Sequence, residues 1–154
     1  MTMDPEPQPT LALSVQRASR TTGQPSTRQL RRWSAAALQG PAEVTIRLVD
    51  RREGQRLNRE FRHKDYPTNV LTFAYGRSDA TWQGDLVLCA PVVKAEARAQ
   101  KKPLAHHYAH LVVHGLLHLQ GYDHQRARDA SAMEALEIEI LERLSIPNPY
   151  LSTH

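Results

Sequence analysis

Apolar and polar residues alternate over Leu11-Ala-Leu-Ser-Val15, which predicts a short strand. Ser26 followed three residues later by Gln29 has the spacing of a reciprocal helix cap, so a helix is expected from there to about Leu38, stopped by Gly40-Pro41. Val44-Thr-Ile-Arg-Leu-Val49 alternates again and is rich in β-branched residues, predicting a second strand. Asp50 and Glu53 repeat the cap spacing and open a helix running to about Phe61. Residues 62–67 read as loop, Val70–Tyr75 as a third strand, Gly76–Gln83 as a polar loop and Asp85–Cys89 as a fourth strand. Pro91 suits the first turn of a helix that reaches about Gln100. Over residues 104–120 the period becomes helical, with Tyr108, Leu111, Val112, Leu116 and Leu119 on one stripe, and Gly121 is a natural left-handed stop. A last helix is expected over 128–144, with Met133, Leu136, Ile140, Leu141 and Leu144 facing inward.

This order predicts an α+β domain in which about five helices, most of them late in the chain, pack on a small mixed four-stranded sheet. Residues 1–10 read as a flexible tail and 11–154 as one domain, without internal repeats. At 154 residues, 40% hydrophobic and 23% charged, the chain is long enough to bury a core without staples and is not disordered in bulk. The longest apolar run, Leu86–Val93, is interrupted by Pro91 and falls far short of the roughly 20 residues that span a bilayer, so no membrane partner is expected. The acidic, proline-rich start Met1–Thr10 lacks the basic and apolar regions of a secretory signal. Cys89 is the single cysteine, which fits a reducing cytoplasm, and its place inside an apolar run makes it a core residue.

The chemistry lies in the histidines. Of eight, six fall between His106 and His124. His114 and His118 stand one helical turn apart on the same face, a spacing that lets two imidazoles close on one ion. His110 continues the stripe, but eight residues at about 1.5 Å rise separate it from His118 by roughly 12 Å, so it is read as a supporting or surface residue. The chain turns back at Gly121, and His124 then comes within reach of the open side of the pair. Three histidines leave one position for water, the arrangement of a catalytic zinc site. His106 and His107 are expected in solvent, and His63 in a basic loop. Peptidases of the H-E-x-x-H type carry a glutamate after the first histidine as general base; here Gly115 stands there, which disfavours peptidase chemistry and lets another element approach the helix closely.

The block His114-Gly-Leu-Leu-His118-Leu-Gln-Gly121-Tyr122-Asp123-His124 resembles the signature of the YbeY family of bacterial single-strand-specific endoribonucleases. Three further blocks in the same order are similar to that family: Leu57–Arg62 with Lys64-Asp65, Thr68–Phe73 and Gly84–Val87. Many members have Asp where Asn69 stands and Ser where Thr72 stands, departures that leave the histidine block untouched. The resemblance covers about residues 44–150. It implies a zincin-like α+β fold, one zinc ion on His114, His118 and His124, and a part in ribosomal RNA maturation at the small-subunit 3′ end and in ribosome quality control. It also implies that Arg62 is functionally important, acting with His114 in catalysis, and that the partners are single-stranded or ribosomal RNA and the ribosome or its small subunit, not DNA.

Charge placement agrees with an RNA partner. The chain carries a net charge of +4. Residues 51–64 hold six Lys or Arg against Glu53 and Glu60, and Lys94, Arg98, Lys101 and Lys102 form a second basic run opposed by Glu96, whereas residues 129–142 carry five acids and no Lys or Arg. Arg59, Lys64, Lys94 and Arg98 are the expected RNA contacts on one positive face. Asp123 is expected either to fix the ring of a ligand histidine or to serve as a turn residue. Two other readings remain open on the residues: a metal hydrolase of peptides or small substrates, against which Gly115 counts, and a non-enzymatic ribosome-associated factor with a structural metal, which needs a fourth protein ligand that no nearby cysteine supplies.

Overall fold

The computed structural model of the protein describes residues 10–122 and 127–151. Only Thr10 of the expected tail falls among them. Along the chain lie β1 (Leu11–Ala18), α1 (Thr27–Ala36), β2 (Ala42–Val49), α2 (Arg51–Arg62), β3 (Val70–Ser78), β4 (Thr81–Cys89), α3 (Ala90–Ala99), α4 (Leu104–Leu119) and α5 (Ala127–Arg143). The four strands form one mixed sheet in the order β1-β2-β4-β3. β1 runs parallel to β2 and β2 to β4, while β3 pairs antiparallel with β4 and forms an edge. The α+β architecture expected from the sequence is therefore the one found.

The alternation in each strand sorts side chains onto two unequal faces. Val44, Ile46 and Leu48 of β2 and Leu86 and Leu88 of β4 join Leu30 and Trp33 of α1, the stripe of α4, and Met133, Ile140 and Leu141 of α5 in the main core. The opposite face carries Val49, Leu71, Val87 and Cys89, with Leu57, Phe73 and Val92 packed against them. Cys89 is buried there as expected, and burial pushes its thiol up from the usual range, which suits an inert core residue.

Two glycines let α4 lie directly on the sheet. A Cβ at Gly115 would stand 2.7 Å from Leu86 Cδ2, and one at Gly84 would stand 2.3 Å from Leu119 Cδ1 and 2.6 Å from the Phe73 carbonyl oxygen. The close approach anticipated at Gly115 is thus real, and β4 is the element that makes it.

The polar loop expected over Gly76–Gln83 is instead a tight hairpin. β3 continues to Ser78, β4 begins at Thr81, and Asp79 and Ala80 both take the left-handed conformation, with φ of 49° and 65°. Two positive φ values in a two-residue connection match the twist of the strands they join. A bulge at Tyr75, between Ala74 and Gly76, shifts the register beside the turn.

Candidate metal centre

α4 is the element that fixes the site. Ten of its residues are buried, so the helix is clamped between the sheet, α1, α3 and α5 with little freedom to rotate. Its half-buried stripe carries His110, His114 and His118. The His114 and His118 rings lie one turn apart with centroids 5.2 Å from each other, and His110 lies a further turn back, 6.1 Å from His114. His118 and His114 open onto a pocket of about 260 Å3 whose other walls are Thr68, Asn69, Val70, Thr72, Ala74 and Arg62. Val70, Thr72 and Ala74 reach it because alternate residues of β3 face α4.

Arg62 arrives from a different direction. It is the last residue of α2, and His63 after it caps the helix in the left-handed conformation with φ of 59°. The His63 amide donates to the Arg59 carbonyl at 3.1 Å and the Lys64 amide to the Asn58 carbonyl at 3.3 Å, a reversal that turns the chain away just past Arg62. Asn58 is itself buried, and its side-chain amide donates to the Tyr66 carbonyl at 2.8 Å, tying the following loop back to the helix. The cap at the other end of α2 is not the one its spacing suggests. Asp50 makes no side-chain cap: its carboxylate receives the Ser19 hydroxyl, while Glu53 is held by Arg47 in a two-pronged pair at 2.5 and 2.9 Å. Ser26 and Gln29, by contrast, form the full reciprocal cap on α1.

Behind the histidines stands a carboxylate from the acidic run 129–142. Glu137 is completely buried. Its Oε1 lies 2.6 Å from His114 Nδ1, and its Oε2 lies 3.1 Å from His110 Nε2 and 2.5 Å from the Tyr150 hydroxyl. Burial alone would raise its pKa, but hydrogen bonds from His110, His114 and Tyr150, with the charge of the His114 ring, pull it down to about 2. An ionised carboxylate only accepts, so His114 donates from Nδ1, and an ion bound to His114 would take Nε2. The signal was present in the sequence: Glu137 sits four residues after Met133 and three before Ile140, on the stripe that α5 buries.

Among the described residues, His110, His114 and Glu137 offer ligand atoms within 4.8 Å of one another and can hold a metal ion. They form a hydrogen-bonded cluster, because two ligands of one tetrahedral zinc stand about 3.3 Å apart, farther than the 2.6 Å from His114 Nδ1 to Glu137. The donor chemistry toward the pocket fits zinc better: two imidazoles one turn apart, one of them backed by a carboxylate. His124 and Asp123 lie outside the described residues.

A second chain of bonds runs alongside. His107, expected in solvent, is 4% exposed, and its Nε2 lies 3.0 Å from Glu96 Oε1. The same oxygen accepts from the Asn69 side-chain amide at 3.0 Å, so a buried histidine helps fix a pocket residue. Hydrogen bonds from His107, against the cost of burial and with help from Asn69, hold the Glu96 carboxyl below its usual range. His107 is placed inward because it follows the buried stripe of α4 next to Tyr108, a phase that the cluster of polar residues at 106–107 conceals.

Arg59 is exposed, pairs with Asp65 at 3.7 Å and borders a groove on the far side of α2. Lys64 follows α2 and is exposed, Arg98 is exposed in the last turn of α3, and Lys94 donates to the Thr22 hydroxyl at 2.5 Å. None of these four lines the histidine pocket.

The profile of the family described as Endoribonuclease YbeY matches residues 14–145. The chain is 59% identical over 145 residues to a protein named Endoribonuclease YbeY from Thiobacillus denitrificans, covering 94% of this chain and 99% of that one. It is 54% identical over 150 residues to its namesake from Nitrosomonas europaea, covering 97% and 91% of the two chains. The solution structure of TM1509 from Thermotoga maritima shares the fold at a TM-score of 0.55 and 24% identity, over 85% of this chain and 91% of that one. With a buried histidine helix, a carboxylate behind it and an arginine facing it across one pocket, and with matches of this extent, the chain belongs to the YbeY family.

Proposed function

We propose that this protein is a zinc-dependent endoribonuclease that cleaves single-stranded RNA, and that it serves in the cytoplasm in ribosomal RNA processing at the small-subunit 3′ end and in ribosome quality control. The observation that carries the proposal is that Arg62 shares one pocket with His114 and His118, although it comes from a helix far away in the chain. The names of its relatives support the endoribonuclease part of this reading.

Zinc held by His114, His118 and His124 would supply a Lewis acid that draws charge from a phosphoryl oxygen and acidifies water at neutral pH. The remaining work falls to the protein. Arg62 presents a planar fork that pairs with two phosphate oxygens and receives the charge that develops on them during attack. Thr68, Asn69 and Thr72 line the same wall with hydroxyl and amide groups suited to the sugar and phosphate of a bound strand. Glu137 holds His114 in one tautomer, and Asp123 is assigned the same duty toward a neighbouring ligand. Gly115 leaves no carboxylate at the place where a peptidase of related geometry keeps its base. Arg59, Lys64, Lys94 and Arg98 would meet the strand beyond the pocket, where binding is salt-sensitive and indifferent to sequence.

The test uses protein of known metal content, offered single-stranded RNA, duplex RNA and casein, with His114→Ala and Arg62→Glu alongside. Cleavage of single-stranded RNA that both variants lose supports the proposal. Proteolysis would support a peptide hydrolase instead, and full metal occupancy without any hydrolysis would favour a structural metal in a ribosome-associated factor.

A further inference from the structure

We infer that Tyr150 is a positioning residue for the metal centre: through Glu137 it fixes the tautomer and aim of His114, which makes the C-terminal segment part of the site. The inference rests on His114 being a metal ligand, as proposed above.

The segment that delivers Tyr150 is built to hold it still. After α5 the chain reverses at Ser145, whose φ is 62°, and the Ile146 amide donates to the Leu141 carbonyl at 2.8 Å. Ile146 is buried in the main core and anchors the segment. Pro147 and Pro149 then restrict the backbone, and the Asn148 side-chain oxygen accepts from the Tyr150 amide at 2.8 Å. Tyr150 thus reaches Glu137 with little entropy left to lose.

The carboxylate divides its two oxygens between two duties. Oε1 serves His114, and Oε2 receives Tyr150 and His110. The Tyr150 ring stands edge-on to His110, with centroids 5.4 Å apart at 82°. The Tyr150 bond is the shorter of the two at Oε2, 2.5 Å against 3.1 Å for His110, so without it the carboxylate turns more freely about its last bond and loosens its hold on His114 Nδ1. Held at both ends it does not, and the His114 ring keeps Nε2 toward the pocket. Tyr150 lines no part of that pocket, so its effect reaches the ion through Glu137 and through His110, whose Nε2 lies 3.4 Å from the Tyr150 hydroxyl.

The experiment compares the full chain with Tyr150→Phe and Tyr150→Ala. Zinc affinity is measured by competition with a chromogenic chelator, and the His114 tautomer in the metal-free protein by long-range proton–nitrogen NMR of its ring. Tyr150→Phe keeps the ring contact with His110 and removes only the hydroxyl. It is expected to weaken zinc binding about tenfold and to lower the population of the Nδ1–H tautomer of His114, while the metal-free protein stays folded at the assay temperature with only a small fall in melting temperature. Tyr150→Ala should weaken zinc binding at least as much. Wild-type zinc affinity in Tyr150→Phe overturns the inference, as does a loss of affinity that merely follows a lower melting temperature with the tautomer unaltered. A wild-type chain that binds no zinc overturns the reading beneath it, and this inference with it.

Discussion

α4 and the end of α2 reach one pocket from opposite faces of the sheet and are held in opposite ways. α4 buries ten residues and displays its histidines from a helix locked in the main core. α2 buries only Gly54 and Asn58, lies over the thin side of the sheet, and offers Arg62 from its final turn, where both the arginine and the residues after it are exposed. The contrast assigns rigidity to the side that would bind an ion, where ligand positions must be exact to a few tenths of an ångström, and latitude to the side that would grip a flexible polyanion. Substitutions on α4 and its supports should therefore cost both fold and activity, whereas those at the end of α2 should cost activity alone.

The largest effect is expected from His118→Ala. Loss of several kcal/mol of metal-derived stabilisation corresponds to a fall of about 10³-fold in RNA cleavage, together with loss of bound zinc; cleavage retained within tenfold would remove His118 from the site. Next comes Gly84→Ala, which forces a methyl against Leu119 and against the backbone oxygen of Phe73, an atom that cannot yield. Urea unfolding should show a loss of about 2–3 kcal/mol, and an unchanged midpoint would mean that α4 does not rest on β4 as described.

Arg62→Ala tests the other side. Cleavage should fall about 10²-fold while stability stays within about 0.5 kcal/mol, since the side chain is exposed; a comparable loss of stability would mean that α2 is not the adjustable partner. The smallest effect belongs to Glu96→Gln. The wild-type carboxyl is held below its ordinary value by His107, so its contribution to stability is present above that value and is lost as pH falls through the depressed one. The variant should be less stable near neutrality by no more than about 1 kcal/mol, because about a third of the side chain meets solvent, and its acid unfolding curve should be flatter below the ordinary carboxylate pKa of 4.5. Acid curves of the same slope would exclude the coupling.

Much of this arrangement was legible from periodicity. The α4 stripe, its stop at Gly121 with φ of 98°, the close approach at Gly115 and the inward residues of α5 all follow from spacing that only one local conformation satisfies. What escaped was set by partners distant in sequence. The Asp50–Glu53 spacing equals that of Ser26–Gln29, yet Ser19 and Arg47 claim both carboxylates and no cap forms. The hairpin at Asp79–Ala80 carries no glycine to announce its two left-handed residues. Glu137 and His107 are polar residues in buried phases, which a run of acids and a cluster of histidines conceal. Of the basic residues singled out, Arg62 reaches the histidine pocket, while Arg59, Lys64, Lys94 and Arg98 lie outside it.

The central claim is that an ion belongs on the pocket side of α4, with Glu137 behind it as a support. An anomalous difference map collected at the zinc edge from crystals of the zinc-loaded protein tests this most directly. The account predicts a single peak in the pocket between His114, His118 and Arg62, about 2.0–2.1 Å from the His114 Nε2 and bonded to three imidazoles. A peak bonded to Glu137 and His110, on the buried side of His114, would contradict it.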